Sequence, residues 1–298
     1  NTLDGLSNVV FSLQISETSF KAAWSFNDLT SFPDNIDLSQ GTNFVRAWEN
    51  NSLVSFPDIN LSQGTIFQGA WQNNSLESFP AIDLSQGTDF DMAWQNNSLT
   101  EFPAINLSQG TEFRLAWQNN SLTEFPAINL SQGTDFDRAW QNNSLESFPD
   151  NINLSQGTNF QGAWQNNSLE SFPDINLSQG TNFDRAWQNN SLESFPDNIN
   201  LSQGTSFKAA WSFNDLTSFP DNIDLSQGTN FVRAWENNSL VSFPDINLSQ
   251  GTIFQGAWQN NSLESFPAID LSQGTDFDMA WQNNSLTEFP AINLSQGT

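Results

Sequence analysis

The chain has 298 residues with 33 acids against 7 Lys and Arg, a formal charge of -26 at pH 7, and 27 Phe and 12 Trp but no Cys, His or Tyr. So negative a surface repels phosphate backbones and anionic bilayers, which excludes nucleic acid as a partner. Without Cys there is no disulfide or thiolate chemistry, and without His the usual general base and commonest metal ligand are missing. No stretch approaches 18 consecutive apolar residues, so no membrane insertion is expected.

Residues 1–17 read as a degenerate first coil, in which Leu6, Phe11, Leu13 and Ile15 stand where later coils place Leu, Phe, Ile and Leu. The stretch from Val9 to Ser16 is predicted to be a strand that caps an open end. From 18 to 298 a unit of 23 or 24 residues recurs about twelve times, which marks a repeat solenoid. Its beat is set by Trp24, Trp48, Trp71, Trp94, Trp117, Trp140, Trp164, Trp187, Trp211, Trp235, Trp258 and Trp281. Each 24-residue unit carries an extra Asn after Pro-Asp, at Asn35, Asn151, Asn198 and Asn222. A single insertion at one fixed point indicates a surface turn.

The coil from Leu76 to Ser98 illustrates the predicted elements. Leu76 to Phe79 is a short strand stopped by Pro80, which cannot donate to a sheet ladder. Ile82, Asp83 and Leu84 alternate as a second extended piece, and Ser85-Gln86-Gly87 turns the chain. Thr88 is placed as a helix N-cap, with Asp91 as its capping-box partner. Phe90, Ala93 and Trp94 then fall at i, i+3 and i+4, one face of a short helical turn. The residue after it is Asn in every coil: Asn27, Asn51, Asn74, Asn97, Asn120, Asn143, Asn167, Asn190, Asn214, Asn238, Asn261 and Asn284. That invariance inside one chain predicts a left-handed helix cap, where Asn is the best residue after Gly.

Seven apolar groups per coil point inward: Leu, Phe, Ile, Leu, Phe, Ala and Trp. Burial contributes roughly 1.5–3 kcal/mol for each large one. Ordering the backbone costs about 1–2 kcal/mol for every residue of the coil. One coil therefore cannot fold alone, and stacking lets neighbours complete each other's core. At strand spacing, twelve coils make a rod on the order of 60 Å long. Residues 18–111 recur unchanged at 205–298, and the chain stops at "INLSQGT", part-way through a coil with no capping sequence. The C-terminal end is therefore expected to be uncapped.

The stretches "SLESFPAI" and "GTDFDMAWQNN" resemble the 23-residue leucine-rich repeats of the BspA type, found in bacterial and phage surface proteins. The likeness lies in the strand opened by Ser-Leu, the pair Ala93-Trp94, and the small polar turn after it. Trp stands where that type usually has Phe, and Asn where Cys is frequent. The resemblance implies a leucine-rich-repeat-like right-handed coil, with short parallel strands and one short helical turn per repeat. It further implies an extracellular, cell-surface or virion-surface location and a role in adhesion or as a scaffold.

Candidate sites divide between chemistry and architecture. The Asn-Asn-Ser triplets make Asn73, Asn96 and Asn119 possible glycosylation sites. The Asn-Leu-Ser triplets alternate with Asp37, Asp83, Asp224 and Asp270, so an acceptor oxygen for nearby backbone explains that position, and a column of such residues is expected to form a ladder between coils. Asp34 with Asp37, or Asp58 with Asp83, could contribute to a calcium site, but no loop of calcium-binding solenoid type is present, and a solvated acidic face is the expectation. The Trp column, at its i, i+3, i+4 spacing, is assigned to the core, not to a sugar-stacking platform. No Ser-His or Ser-Lys pair, phosphate loop or metal cluster can be picked out, so no enzyme, cofactor or metal is expected. All seven basic residues, Lys21, Arg46, Arg114, Arg138, Arg185, Lys208 and Arg233, lie between the Phe and Ala of the predicted helical stretch. Two functions follow: an adhesin or rod that binds a host-surface receptor or glycan, and a self-associating filament subunit.

Overall fold

The computed structural model describes residues 19–297, so the predicted cap over 1–17 and Thr298 lie outside the described residues. The same hydrogen bonds and ring contacts recur between successive coils, which makes the chain a regular repeat solenoid. Parallel one-residue bridges run coil to coil through the residue after each Gly-Thr, from Ser19 and Asn43 through Asp89 and Glu112 to Ile253 and Asp276. This ladder runs where the sequence suggested that a helix begins. The predicted strands carry less: the Ile82-Leu84 position contributes one bridge, Asn129 to Asn153. The Leu76–Phe79 stretch carries single bonds such as Glu77 N–H to Val54 C=O, 3.0 Å.

The described residues contain no helix, which corrects the expected helical turn. Two consecutive turns stand in its place. Ala93 N–H donates to Phe90 C=O at 3.0 Å and Gln95 N–H to Met92 C=O at 3.2 Å. Met92 at φ 57° and Asn96 at φ 56° are left-handed, and a residue of positive φ at the third turn position cannot continue a right-handed helix. The intervening amides point along the rod instead. Phe90, Met92, Trp94 and Asn96 donate to Glu112, Arg114, Ala116 and Gln118 of the next coil at 2.8–2.9 Å. A helix would have spent those donors within its own coil. The i, i+3, i+4 pattern survives because the turn pair puts Phe90, Ala93 and Trp94 on one side, all fully buried.

Ten Trp, from Trp48 to Trp258, are fully buried, and Trp24 and Trp281, in the first and last described coils, are half-buried. Trp94 stacks on Trp71 at 5.5 Å, on Trp117 at 5.6 Å and on its own coil's Phe90 at 5.7 Å. It meets Phe79 and Phe102 edge-on at 5.4 and 4.9 Å. Its buried indole N–H has no hydrogen-bond partner, as is true of every Trp from Trp48 to Trp281. An unpaired buried donor costs about 1–3 kcal/mol. Five ring contacts, each worth about 0.5–1.5 kcal/mol beyond burial, outweigh it.

Gly87 closes the turn predicted at Ser85–Gly87, with its N–H donating to Leu84 C=O at 2.9 Å. It is Gly because of space: a Cβ there would lie 2.2 Å from Phe90 Cζ. Gly133 is placed the same way, 2.3 Å from Phe136 Cζ. Gly133→Ala forces a buried ring out of its column, and overpacking of this kind costs about 1–3 kcal/mol. A urea titration should show a lower midpoint for that variant, and an unchanged midpoint would show that the ring column yields freely.

Candidate functional site

The turn face carries side-chain ladders that repeat the backbone's logic. Asn97 and its equivalents from Asn27 to Asn284, predicted as left-handed helix caps, have no helix to cap, and the left-handed residue is the one before them. Their amides instead brace two coils. Asn120 Nδ2 donates to the carbonyls of Trp94, 3.0 Å, and Trp117, 3.1 Å, while its Oδ1 accepts Leu99 N–H at 3.1 Å. Asp could replace only the acceptor, so the position holds Asn throughout. Asn120→Ala leaves the Leu99 N–H unpaired at about 1–3 kcal/mol and removes one of two donors from each carbonyl, which Asn97 and Asn143 still reach. That variant should lower the thermal midpoint clearly, with Asn120→Asp recovering only part of the loss.

The preceding Asn forms an outer ladder. Asn73 Nδ2 donates to Asn50 Oδ1 at 2.8 Å, Asn96 to Asn73 at 2.6 Å, and Asn119 to Asn96 at 2.6 Å. The three candidate glycosylation residues are thus ladder members, and the nitrogen that would carry a sugar already donates one hydrogen. Gln72, Gln95 and Gln118 form a third column beside it. None of these ladders was read from the sequence. A signal was present: Gly69, Gly162 and Gly256 occupy the Met92 position in three coils and mark it as left-handed. Elsewhere that position holds Ala, Met, Leu or Arg, at about 1–2 kcal/mol of strain each.

Two coils break the outer ladder with an aromatic. Phe26 and Phe213 take the left-handed position at φ 55° and 58°, and are 72% and 46% exposed. The residues beside them change too. Ser212 replaces Gln, and Glu236 replaces Gln in the next coil, where it is buried and 3.9 Å from Arg233. Glu49 is the matching residue near Phe26, and its buried Oε2 has no partner.

The acids fall into two electrostatic classes. Asp83 accepts Ser85 N–H at 3.0 Å, an Asx turn that each described coil repeats with Asn or Asp, so the side chains of this column bond within their own coil and not in the expected ladder between coils. Hydrogen bonds from the Ser85 side chain and backbone hold its carboxyl below the usual range, and Asp37 is lowered likewise by Ser39. Three acids in or near the bridge column behave oppositely: Glu112 within it, and Asp91 and Asp137 two residues beyond it. Burial raises Asp91 and Asp137 despite Arg114 at 3.4 Å and Arg138 at 3.6 Å respectively. Burial first, then the charges of Asp91, Asp135 and Asp89, raises Glu112. A carboxyl raised on folding opposes stability when ionised, and that penalty fades as pH falls through its folded pKa. Glu112→Gln should therefore raise the midpoint at pH 7, and the gain should vanish by about pH 4, near the free Glu pKa. A gain that persisted in acid would trace to packing instead.

Shallow grooves lie between adjacent coils at the Pro-Asp turns. One of about 570 Å³ is lined by Ser194, Pro196, Asp197, Ser218, Pro220 and Asp221. The neighbouring one is lined by the extra Asn198 and Asn222. Among the described residues no three acids converge as metal ligands, and Asp37 and Asp83 are each turned to their own Ser. No helix of the described residues is long and apolar enough to cross a membrane.

Comparison with known proteins places the architecture. No protein-family model and no curated protein matches the sequence. Among solved structures, a leucine-rich-repeat protein of Leptospira interrogans matches with TM-score 0.52 at 18% identity, over 91% of this chain and 77% of that one. The leucine-rich effector YopM of Yersinia pestis aligns at TM-score 0.41 and 20% identity, over 91% of this chain and 79% of that one. YopM of Yersinia enterocolitica WA-314 aligns at TM-score 0.18 and 15% identity, over 94% and 90%. The first likeness establishes a solenoid of the leucine-rich-repeat class.

Proposed function

We propose that this chain is a non-enzymatic surface protein, a rod that presents a recognition face to a host-surface receptor. The observation that carries this reading is where the coils differ. Core, ladder and turn residues are nearly constant, while the exposed residue directly after the Leu of each Leu-x-x-Phe segment changes: Thr30, Val54, Glu77, Thr100, Glu146. A fixed core that carries a changing exposed position is the arrangement of a binding surface. The absence of His and Cys and the twelvefold repetition support a non-enzymatic role. Likeness to the BspA-type repeats supports an extracellular or virion-surface setting.

A second reading has its own observation. Residues 18–111 return unchanged at 205–298, outward positions included. Selection for one particular binding patch does not require that identity, whereas a filament subunit that associates end to end or laterally gains from it. Electron microscopy of the purified chain at rising concentration separates the two. Short monodisperse rods that attach to host cells are expected, and attachment should weaken roughly tenfold, about 1.4 kcal/mol, in the triple variant Glu146→Ala, Glu170→Ala, Glu193→Ala. Fibres that lengthen with concentration, without cell attachment, would transfer the assignment to the filament.

A further inference from the structure

The two interruptions of the outer Asn ladder share a geometry that the rest of the rod lacks. Wherever two Asn stand at this position in adjacent described coils, the later one donates its amide hydrogen to the carbonyl of the earlier one. Phe213 can neither donate nor accept. Asn237 Nδ2 therefore has no hydrogen-bond acceptor among the described residues, although Asn237 Oδ1 still accepts from Asn260 at 2.8 Å. On the other side Asn189 Oδ1 has no donor, although Asn189 Nδ2 still donates to Asn166 at 2.8 Å. Between this free donor and free acceptor stands an exposed ring that pairs with no other ring among the described residues. The donor half of this arrangement recurs at Phe26, where Asn50 Nδ2 has no acceptor among the described residues, and the coil before Phe26 lies outside them.

A bulky side chain held left-handed and exposed is disfavoured twice over, by its backbone and by its contact with water. Asn occupies the position in the other described coils without either penalty. Strain that the fold does not need points to use. We propose that Phe213 is a carbohydrate platform taking the apolar face of a pyranose on its ring, and that Phe26, which repeats the exposed ring and the donor beside it, is a second. The flanking groups fit that ligand. Asn189 and Asn237 are two coils apart, about 10 Å at strand spacing. A pyranose ring with a hydrogen bond of about 2.8 Å at either edge covers that span. One edge hydroxyl accepts from Asn237 Nδ2, and the opposite one donates to Asn189 Oδ1. An aliphatic side chain would leave both amides unanswered. The two platforms lie eight coils apart on one face, on the order of 38 Å, so a branched or repeating glycan could engage both at once. This inference rests on the surface-binding reading and names its ligand class.

The test uses the full chain and the double variant Phe26→Asn, Phe213→Asn, which restores the residue that the other coils carry and so is expected to fold. Both are applied to an array of immobilised glucose-, galactose- and mannose-based oligosaccharides, with circular dichroism and urea midpoints measured in parallel. The parent chain should bind a subset of the array, each single variant at least tenfold more weakly, and the double variant not detectably. The double variant should also unfold at higher urea, because strain is relieved and the ladder closes. Glycan binding that the double variant retains would overturn the platforms while leaving the surface-binding reading intact. Attachment to host cells with no binding to any sugar would do the same. Binding to neither cells nor sugars would remove both.

Discussion

Everything in this molecule depends on every second amide of the turn pair pointing along the rod. Phe90, Met92, Trp94 and Asn96 donate to the next coil, while Ala93 and Gln95 close turns within their own. That alternation fixes one coil above the next with no freedom to slide. The stacked columns of Trp, Phe and Leu follow from it, because a fixed register brings each side chain over its own equivalent. Phe67 over Phe90 and Trp71 over Trp94 are both 5.5 Å apart and nearly coplanar. Two left-handed residues in each coil make the alternation possible, and the chain accepts Arg138 and Leu115 at such positions to keep it.

The side chains extend the same principle outward. Amides suit a rod of this kind because each carries a donor and an acceptor, so a column of them satisfies itself without ending. The inner Asn joins backbone to backbone, and the outer Asn and Gln join side chain to side chain. Carboxylates cannot do this. Where Asp and Glu crowd in and beside the bridge column, burial and repulsion raise Asp91, Glu112 and Asp137, and Arg114 and Arg138 offset only part. Asp37, Asp83 and Asp270, exposed at Asx turns and given a Ser N–H each, are instead held below the usual carboxyl range by those hydrogen bonds.

A scaffold this uniform concentrates information at its exceptions. The outward residues that change from coil to coil, the paired grooves at the Pro-Asp turns, and the aromatic interruptions of the ladder are places where neighbouring coils are not interchangeable. Function in a repeat protein has to reside in such differences, because features shared by all coils can only build the rod.

Much of this was legible in the sequence. The period of the Trp residues gave the solenoid, and the spacing of Phe90, Ala93 and Trp94 gave the side that faces inward. The exchange of Asn60 for Asp83 marked an acceptor to nearby backbone, which the Asx turns match. The helix did not survive, because i, i+3, i+4 periodicity reports which residues share a side and not how the backbone gets them there. Only Gly69, Gly162 and Gly256 hinted at the left-handed turn. The ladders were equally hidden, since an Asn reveals its partner only when the next coil is set above it. Sequence alone thus determined the unit, its length and its buried residues, through a hydrophobic pattern that is local. Tertiary stacking decided which amides donate between coils, and so replaced a helix by two turns and left Phe26 and Phe213 standing exposed in an otherwise closed ladder.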